Sequence, residues 1–158
     1  MPKQLHSLTC IFLLASAIAF LVGCGGTDPE PTEVPLMHVT FNDIGMVEAG
    51  TYLWRTRADW EAFWLAHPNP GYPSRQIPTV DFGSAAVAGF FAGPKGRCNV
   101  LDITWGSTLK GTVTLRYRIT TFGIGTPSSC IGNDHFTLNL ADMVLIPKES
   151  TAVKFEAE

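Results

Sequence analysis

No cluster of lysine and arginine occurs anywhere in this 158-residue chain, whose formal net charge is −3. A chain without a basic patch lacks the electrostatic footprint of nucleic-acid binding. Histidine is scarce, with four in all, and no Gly-x-Ser-x-Gly elbow accompanies them, so no serine nucleophile with a positioned base can be read off. No Cys-x-x-Cys occurs and no histidine lies at ligand spacing from a cysteine, which leaves no zinc or thiol-redox motif. The longest apolar run, residues 8–22, falls short of the roughly 20 residues needed to span hydrocarbon. Gly93-Pro94-Lys95-Gly96 has no strand-to-helix context, so it reads as a turn and not a phosphate loop.

What the chain does have begins at its start. Met1 and Lys3 precede the apolar run Ile11 to Phe20, which closes on Leu21-Val22-Gly23-Cys24. A cationic start, an apolar middle and a small-residue cleavage site make a secretory signal peptide over residues 1–23. The Leu-Val-Gly-Cys ending resembles a bacterial lipobox, which implies cleavage before Cys24 and diacylglycerol on its thiol. Each buried methylene contributes about 0.8 kcal/mol, so two or three chains on Cys24 would hold the protein on a membrane. Gly25 stands where many Gram-negative lipoproteins retained in the inner membrane carry Asp, so the pattern resembles that of outer-membrane lipoproteins. The expected location is the bacterial cell envelope, outside the cytoplasm.

Residues 24–36, rich in Gly, Pro and acid, show no apolar periodicity and are expected to form a tether stiffened by Pro29, Pro31 and Pro35. Residues 37–158 then form a single domain, since little more than a hundred residues remain and two well-cored domains would need more. With Cys10 in the signal peptide and Cys24 at the lipid site, Cys98 and Cys130 remain. In an oxidising compartment an even remainder is most simply a disulfide. Closing a loop of that length stabilises a fold by roughly 3–4 kcal/mol in the chain-entropy model.

Periodicity supplies the elements. Thr51–Arg55 is β-prone and follows Gly50. Thr56 can cap a helix with Asp59 at N3, and Trp60, Phe63 and Trp64 fall at i, i+3 and i+4, an aromatic stripe suited to the core; the chain leaves the helix at His67-Pro68. Four prolines and one glycine between His67 and Thr79 make a stiff loop. Ala85 to Ala92 reads as a strand buried on both faces, and a second strand runs from Cys98 to Trp105. Residues 106–111 close a hairpin onto Thr112–Thr120, with Val113, Leu115, Tyr117 and Ile119 pointing inward and Thr112, Thr114, Arg116 and Arg118 outward. Phe136, Leu138 and Leu140 mark a further strand, Met143 to Ile146 another, and Val153 to Phe155 a short last one. The expected fold class is α+β, a mainly antiparallel β-sheet with one amphipathic α-helix packed on it.

The order of strand, Thr56-Arg57-Ala58-Asp59-Trp60-Glu61-Ala62-Phe63-Trp64, Val80-Asp81-Phe82 and an apolar strand ending near Gly93 resembles the domain of the protease complex subunit PrcB family, over Tyr52 to Glu156. The chain departs from that pattern at Gly96-Arg97-Cys98, where members carry a Gly-Gly-Tyr-like step. The resemblance implies a non-enzymatic accessory lipoprotein that binds another envelope protein, a surface protease complex being the family's example. The expected contact surface is the loop 121–134 with the turn at 93–97, offering Ile124 and Ile131 as apolar contacts and Arg97 as a charged anchor. The alternative is a small-ligand or glycan-binding module that stacks its ligand on Trp54, Trp60, Trp64 or Trp105. His135 could meet Asp81 or Asp102, and Asp81 reads as a turn or cap acceptor at the entry to a buried strand, where it is partly desolvated. Asp102 is expected to face solvent. With the histidines apart and no clustered carboxylates in the sequence, neither a metal nor a cofactor is expected.

Overall fold

The capping chemistry at Thr56 behaves as its residue types dictate. In the computed structural model, which describes residues 28–41, 44–68, 76–96, 99–121 and 137–158, Thr56 is extended and its hydroxyl oxygen accepts the Asp59 amide at 3.1 Å. The same hydroxyl donates to the Asp59 carboxylate at 2.6 Å, a reciprocal closure of the first turn of α1 (Arg57–Ala66). At the other end the His67 ring donates from Nδ1 to the Phe63 carbonyl at 2.7 Å, adding a side-chain donor at the last turn of the helix.

Around α1 the described residues form eight strands in two four-stranded sheets. They are β1 (Thr32–Glu33), β2 (Met37–His38), β3 (Gly50–Trp54), β4 (Ala85–Gly96), β5 (Asn99–Leu109), β6 (Thr112–Thr121), β7 (Thr137–Pro147) and β8 (Ala152–Ala157). The first sheet has the order β1-β5-β6-β8 and the second β2-β7-β4-β3. The fold is α+β, mostly antiparallel strands with one short helix among the described residues. The expected single sheet is instead two, and one pairing departs from antiparallel: β8 runs parallel to β6, Val113 opposite Val153 and Leu115 opposite Phe155.

The second sheet is the middle layer, because its strands are apolar on both faces. Along β4, Val87 and Phe91 join Trp54, Trp60, Phe63, Trp64 and Met143 in one buried cluster. Ala86 and Ala88 join Leu101, Ile103, Val113, Leu115, Val144 and Ile146 in the other, between the sheets. This is the period-2 alternation of a strand covered on both sides. The aromatic stripe of α1 therefore lies in the core, and Trp54 and Trp60 meet edge to face at 5.0 Å, an arrangement worth about 0.5–1.5 kcal/mol beyond the area buried.

Five other expectations are corrected. Gly93 to Gly96 continue β4 and pair with β7 as far as Gly96 opposite Thr137, after a bulge between Phe91 and Gly93 at which Gly93 takes a φ of +77°, a value that favours glycine. The hairpin between β5 and β6 is tighter than residues 106–111: its two turn residues are Lys110 and Gly111, both with positive φ, the primed geometry whose twist matches the strands. Leu138 to Ile146 belong to one continuous strand, with no break at Ala141-Asp142. Inward pointing in β6 holds for Val113 and Leu115, while Ile119, near the strand's end, is 40% exposed. Finally, the end of the stretch read as a tether enters the fold: Thr32 and Glu33 pair with Thr108 and Ser107, and Val34 is buried with its amide donating to the Gly106 carbonyl. Alternation over so few residues is too short to register in composition.

Trp60 is 1% exposed and its Nε1 donates to the Pro78 carbonyl at 2.9 Å, whereas Leu65, one turn on, is 74% exposed. Trp60→Ala should cost about 3–5 kcal/mol in urea unfolding. Leu65→Ala should stay within about 0.5 kcal/mol of the parent. Equal effects would contradict the placement of α1.

Candidate functional site

One carboxylate lies in the apolar layer between the sheets. In β7, Leu140, Val144 and Ile146 face the first sheet, and Asp142 falls on the same side of the strand by its spacing. Asp142 is 9% exposed. A buried charge survives only if its lone pairs are met, and here the backbone meets them. Oδ2 accepts the Ile103 amide at 2.7 Å and Oδ1 accepts the Met143 amide at 2.8 Å. The Ile103 amide is available because β1 covers only Ser107 and Thr108 of β5's outer edge, and because a bulge between Ile103 and Trp105 shifts the β5–β6 ladder. Asp142 thus joins a strand of one sheet to a strand of the other.

Two side chains converge on it. Met37 and His38 pair with Leu145 and Val144, and the Val39 amide donates to the Met143 carbonyl at 2.8 Å. This lays β2 along β7 and places His38 Nδ1 3.1 Å from Asp142 Oδ1 and 3.0 Å from Oδ2. The His38 side chain is 42% exposed, and among the described residues no group bonds its Nε2. The third member, Asp102, projects from β5 next to Ile103 and is exposed, as expected of it. One donor atom each from His38, Asp102 and Asp142 lies within 4.8 Å of the others. Of the three, His38 alone borders a cleft of about 260 Å³, whose lining also includes Thr40, Thr79, Val80 and Leu145.

Chemically, Asp142 can hold the His38 Nδ1–H and leave Nε2 as an acceptor, and the three residues together are a donor set for a metal ion. Among the described residues no hydroxyl or thiol bonds Nε2, so the geometry assembles no nucleophile–base pair there. The absence of clustered carboxylates inferred from the sequence is therefore corrected: Asp102 and Asp142 are 40 residues apart in the chain and adjacent in the fold. The available signal was an aspartate inside the run Leu140-Ala141-Asp142-Met143-Val144, masked by reading a strand break at that point.

The other sequence-derived residues fall in two groups. Cys24, Arg97, Cys98, Ile124, Cys130, Ile131 and His135 lie outside the described residues. Of the tryptophans, Trp54, Trp60 and Trp64 are core and offer no face to a ligand, while the half-buried Trp105 carries the Arg116 guanidinium 4.6 Å above its ring. Asp81 is exposed, not partly desolvated, and serves the turn before β4. Its Oδ2 accepts the Ser84 hydroxyl at 2.8 Å and its Oδ1 the Gly83 amide at 2.9 Å. The Ser84 hydroxyl, then the Gly83 amide, hold its carboxyl below the ordinary aspartate range.

Two outcomes follow. Because the folded-state value of Asp81 is depressed, its stabilisation is present above the ordinary aspartate pKa of about 3.9 and is lost as pH falls through the lower folded value. Asp81→Asn should unfold more readily than the parent at pH 7, and the gap should close under strongly acidic conditions in pH-stepped urea titrations. Asp142→Ala strands two backbone amides, and each buried unmet donor costs about 1–3 kcal/mol. It should lower the urea midpoint far more than His38→Ala, whose partly exposed pairing is worth about 1 kcal/mol or less.

No protein-family model, no curated protein and no solved structure matches this chain.

Proposed function

We propose that the chain is a lipid-anchored, non-enzymatic accessory protein of the bacterial envelope, held by diacylglycerol on Cys24 and binding another envelope protein. The observation that carries this reading is the segment Leu21-Val22-Gly23-Cys24 closing a 15-residue apolar run, followed by residues 25–31, which are rich in Gly, Pro and acid. Under this reading α1 is an amphipathic cover for the middle sheet, with Trp60, Phe63 and Trp64 in the core. The contact surface under this reading is the end of the sheets from which residues 97–98 and 122–136 depart. Their flanking residues are brought together there, Gly96 opposite Thr137 and Asn99 opposite Thr121. Arg97, Ile124 and Ile131 are its proposed contacts, with a Cys98–Cys130 disulfide joining the two segments. The likeness to the protease complex subunit family rests on the sequence pattern alone, and a surface protease is one partner it suggests.

Cys24→Ser tests the anchor: it should abolish metabolic labelling with radioactive palmitate and release the protein from the membrane fraction. Labelling that survives the substitution contradicts lipidation at Cys24. Affinity capture from gently solubilised native membranes tests the partner. A stoichiometric protein should be retained by the parent and lost on replacing Ile124 and Ile131 with Asp, at unchanged melting temperature. Capture of nothing by a folded parent counts against the binding reading.

A further inference from the structure

We propose that His38, Asp102 and Asp142 bind one divalent first-row metal ion at the junction of the two sheets. The donor set is a mixed one, an imidazole nitrogen with two carboxylates, of the type that takes Mn²⁺ or Zn²⁺. The donors come from three strands of both sheets, and Asp142, the central one, is held in place by the fold. Each carboxylate oxygen has two lone pairs. The Ile103 and Met143 amides occupy one on Oδ2 and one on Oδ1, and the remaining positions face His38 Nδ1, whose proton leaves to solvent when the cation takes its place. Backbone donors of this kind orient a ligating carboxylate from behind, as outer-shell partners do at metal centres.

The spacing fits as well. Ligands bound at about 2.0–2.2 Å around a tetrahedral or octahedral ion sit roughly 3–3.5 Å from one another. His38 Nδ1 lies 3.0 Å from Asp142 Oδ2, and the third donor, on the exposed Asp102 side chain, is within 4.8 Å of both, a separation that a side-chain rotation closes on binding. Charge balance points the same way. With a neutral imidazole the three side chains carry two negative charges, and like charges at this range repel. Among the described residues no lysine or arginine nitrogen lies within 4 Å of either carboxylate, and a dication would neutralise the pair. Three protein ligands leave at least one coordination position for water or a further anionic donor, on the solvent side where Asp102 is exposed and His38 borders the cleft.

The test uses the full-length chain in detergent, treated with chelator and then titrated with Mn²⁺, whose free-ion electron paramagnetic resonance signal falls as it binds. Mn²⁺ favours carboxylate over thiolate, which keeps the cysteines out of the measurement. One ion per chain should bind saturably, and Zn²⁺ should displace it. Asp102→Asn and His38→Gln should each weaken binding about tenfold or more, with unchanged far-ultraviolet circular dichroism. Asp102 is the cleaner variant, since it makes no hydrogen bond or ion pair among the described residues that folding would miss. Loss of signal that never saturates, or saturable binding undiminished in both variants, overturns the site. Either result leaves the lipid anchor at Cys24 untouched.

Discussion

The structure depends on a sheet that is apolar on both of its faces. β4 and β7 send Val87, Phe91 and Met143 toward the helix, and Ala86, Ala88, Val144 and Ile146 toward the other sheet. Neither face can be left to water, so the chain must supply two covers. One is α1 with its aromatic side chains. The other is the β5–β6 hairpin, widened by β1 on one side and by β8 on the other. The two interfaces differ in kind. The helix side is filled by large rings meeting at angles, while the sheet side places alanines of β4 beneath Leu101, Ile103, Val113 and Leu115, which lets two layers of backbone approach closely.

Asp142 is the exception within this scheme, and it lies where the scheme needs a polar link. A strand edge left uncovered exposes amides that something must satisfy. β5 has such an edge beyond its short pairing with β1, and the Asp142 carboxylate takes the amide of Ile103 there. The cost of burying the carboxylate is offset by charge-assisted hydrogen bonds to backbone amides. Its residual charge then sets the chemistry of the rim. An imidazole is drawn in from β2, and Asp102, the residue before Ile103, is brought close as a consequence of the same contact. The cluster is a product of sheet docking, which explains why no local motif announces it.

How far the sequence could be read follows from the range of each interaction. The cap at Thr56, the stripe Trp60–Phe63–Trp64, the buried strand at Ala85 to Ala92 and the acceptor role of Asp81 all depend on partners within a few residues, and each is found as read. The misreadings share a cause. Gly93-Pro94 has the composition of a turn, yet a bulge absorbs the glycine and the strand goes on. Asp142 falls between what read as two strands; an acid within a strand is costly alone, and here its compensation comes from a strand 39 residues away. Thr32 and Glu33 show no pattern of their own and are recruited by an edge of β5.

By itself, then, the sequence determined the class of fold, the helix with its cap and buried face, and the double-sided character of the central strand, since these rest on composition and on periods of two and 3.6 residues. Only the tertiary structure decided that the strands divide into two sheets, that β8 runs parallel to β6, and that His38, Asp102 and Asp142 meet. Those outcomes depend on which strand edges pair and which faces dock. Pairing of that kind joins residues of large sequence separation through backbone groups that every residue carries, and so leaves no trace in the side-chain pattern.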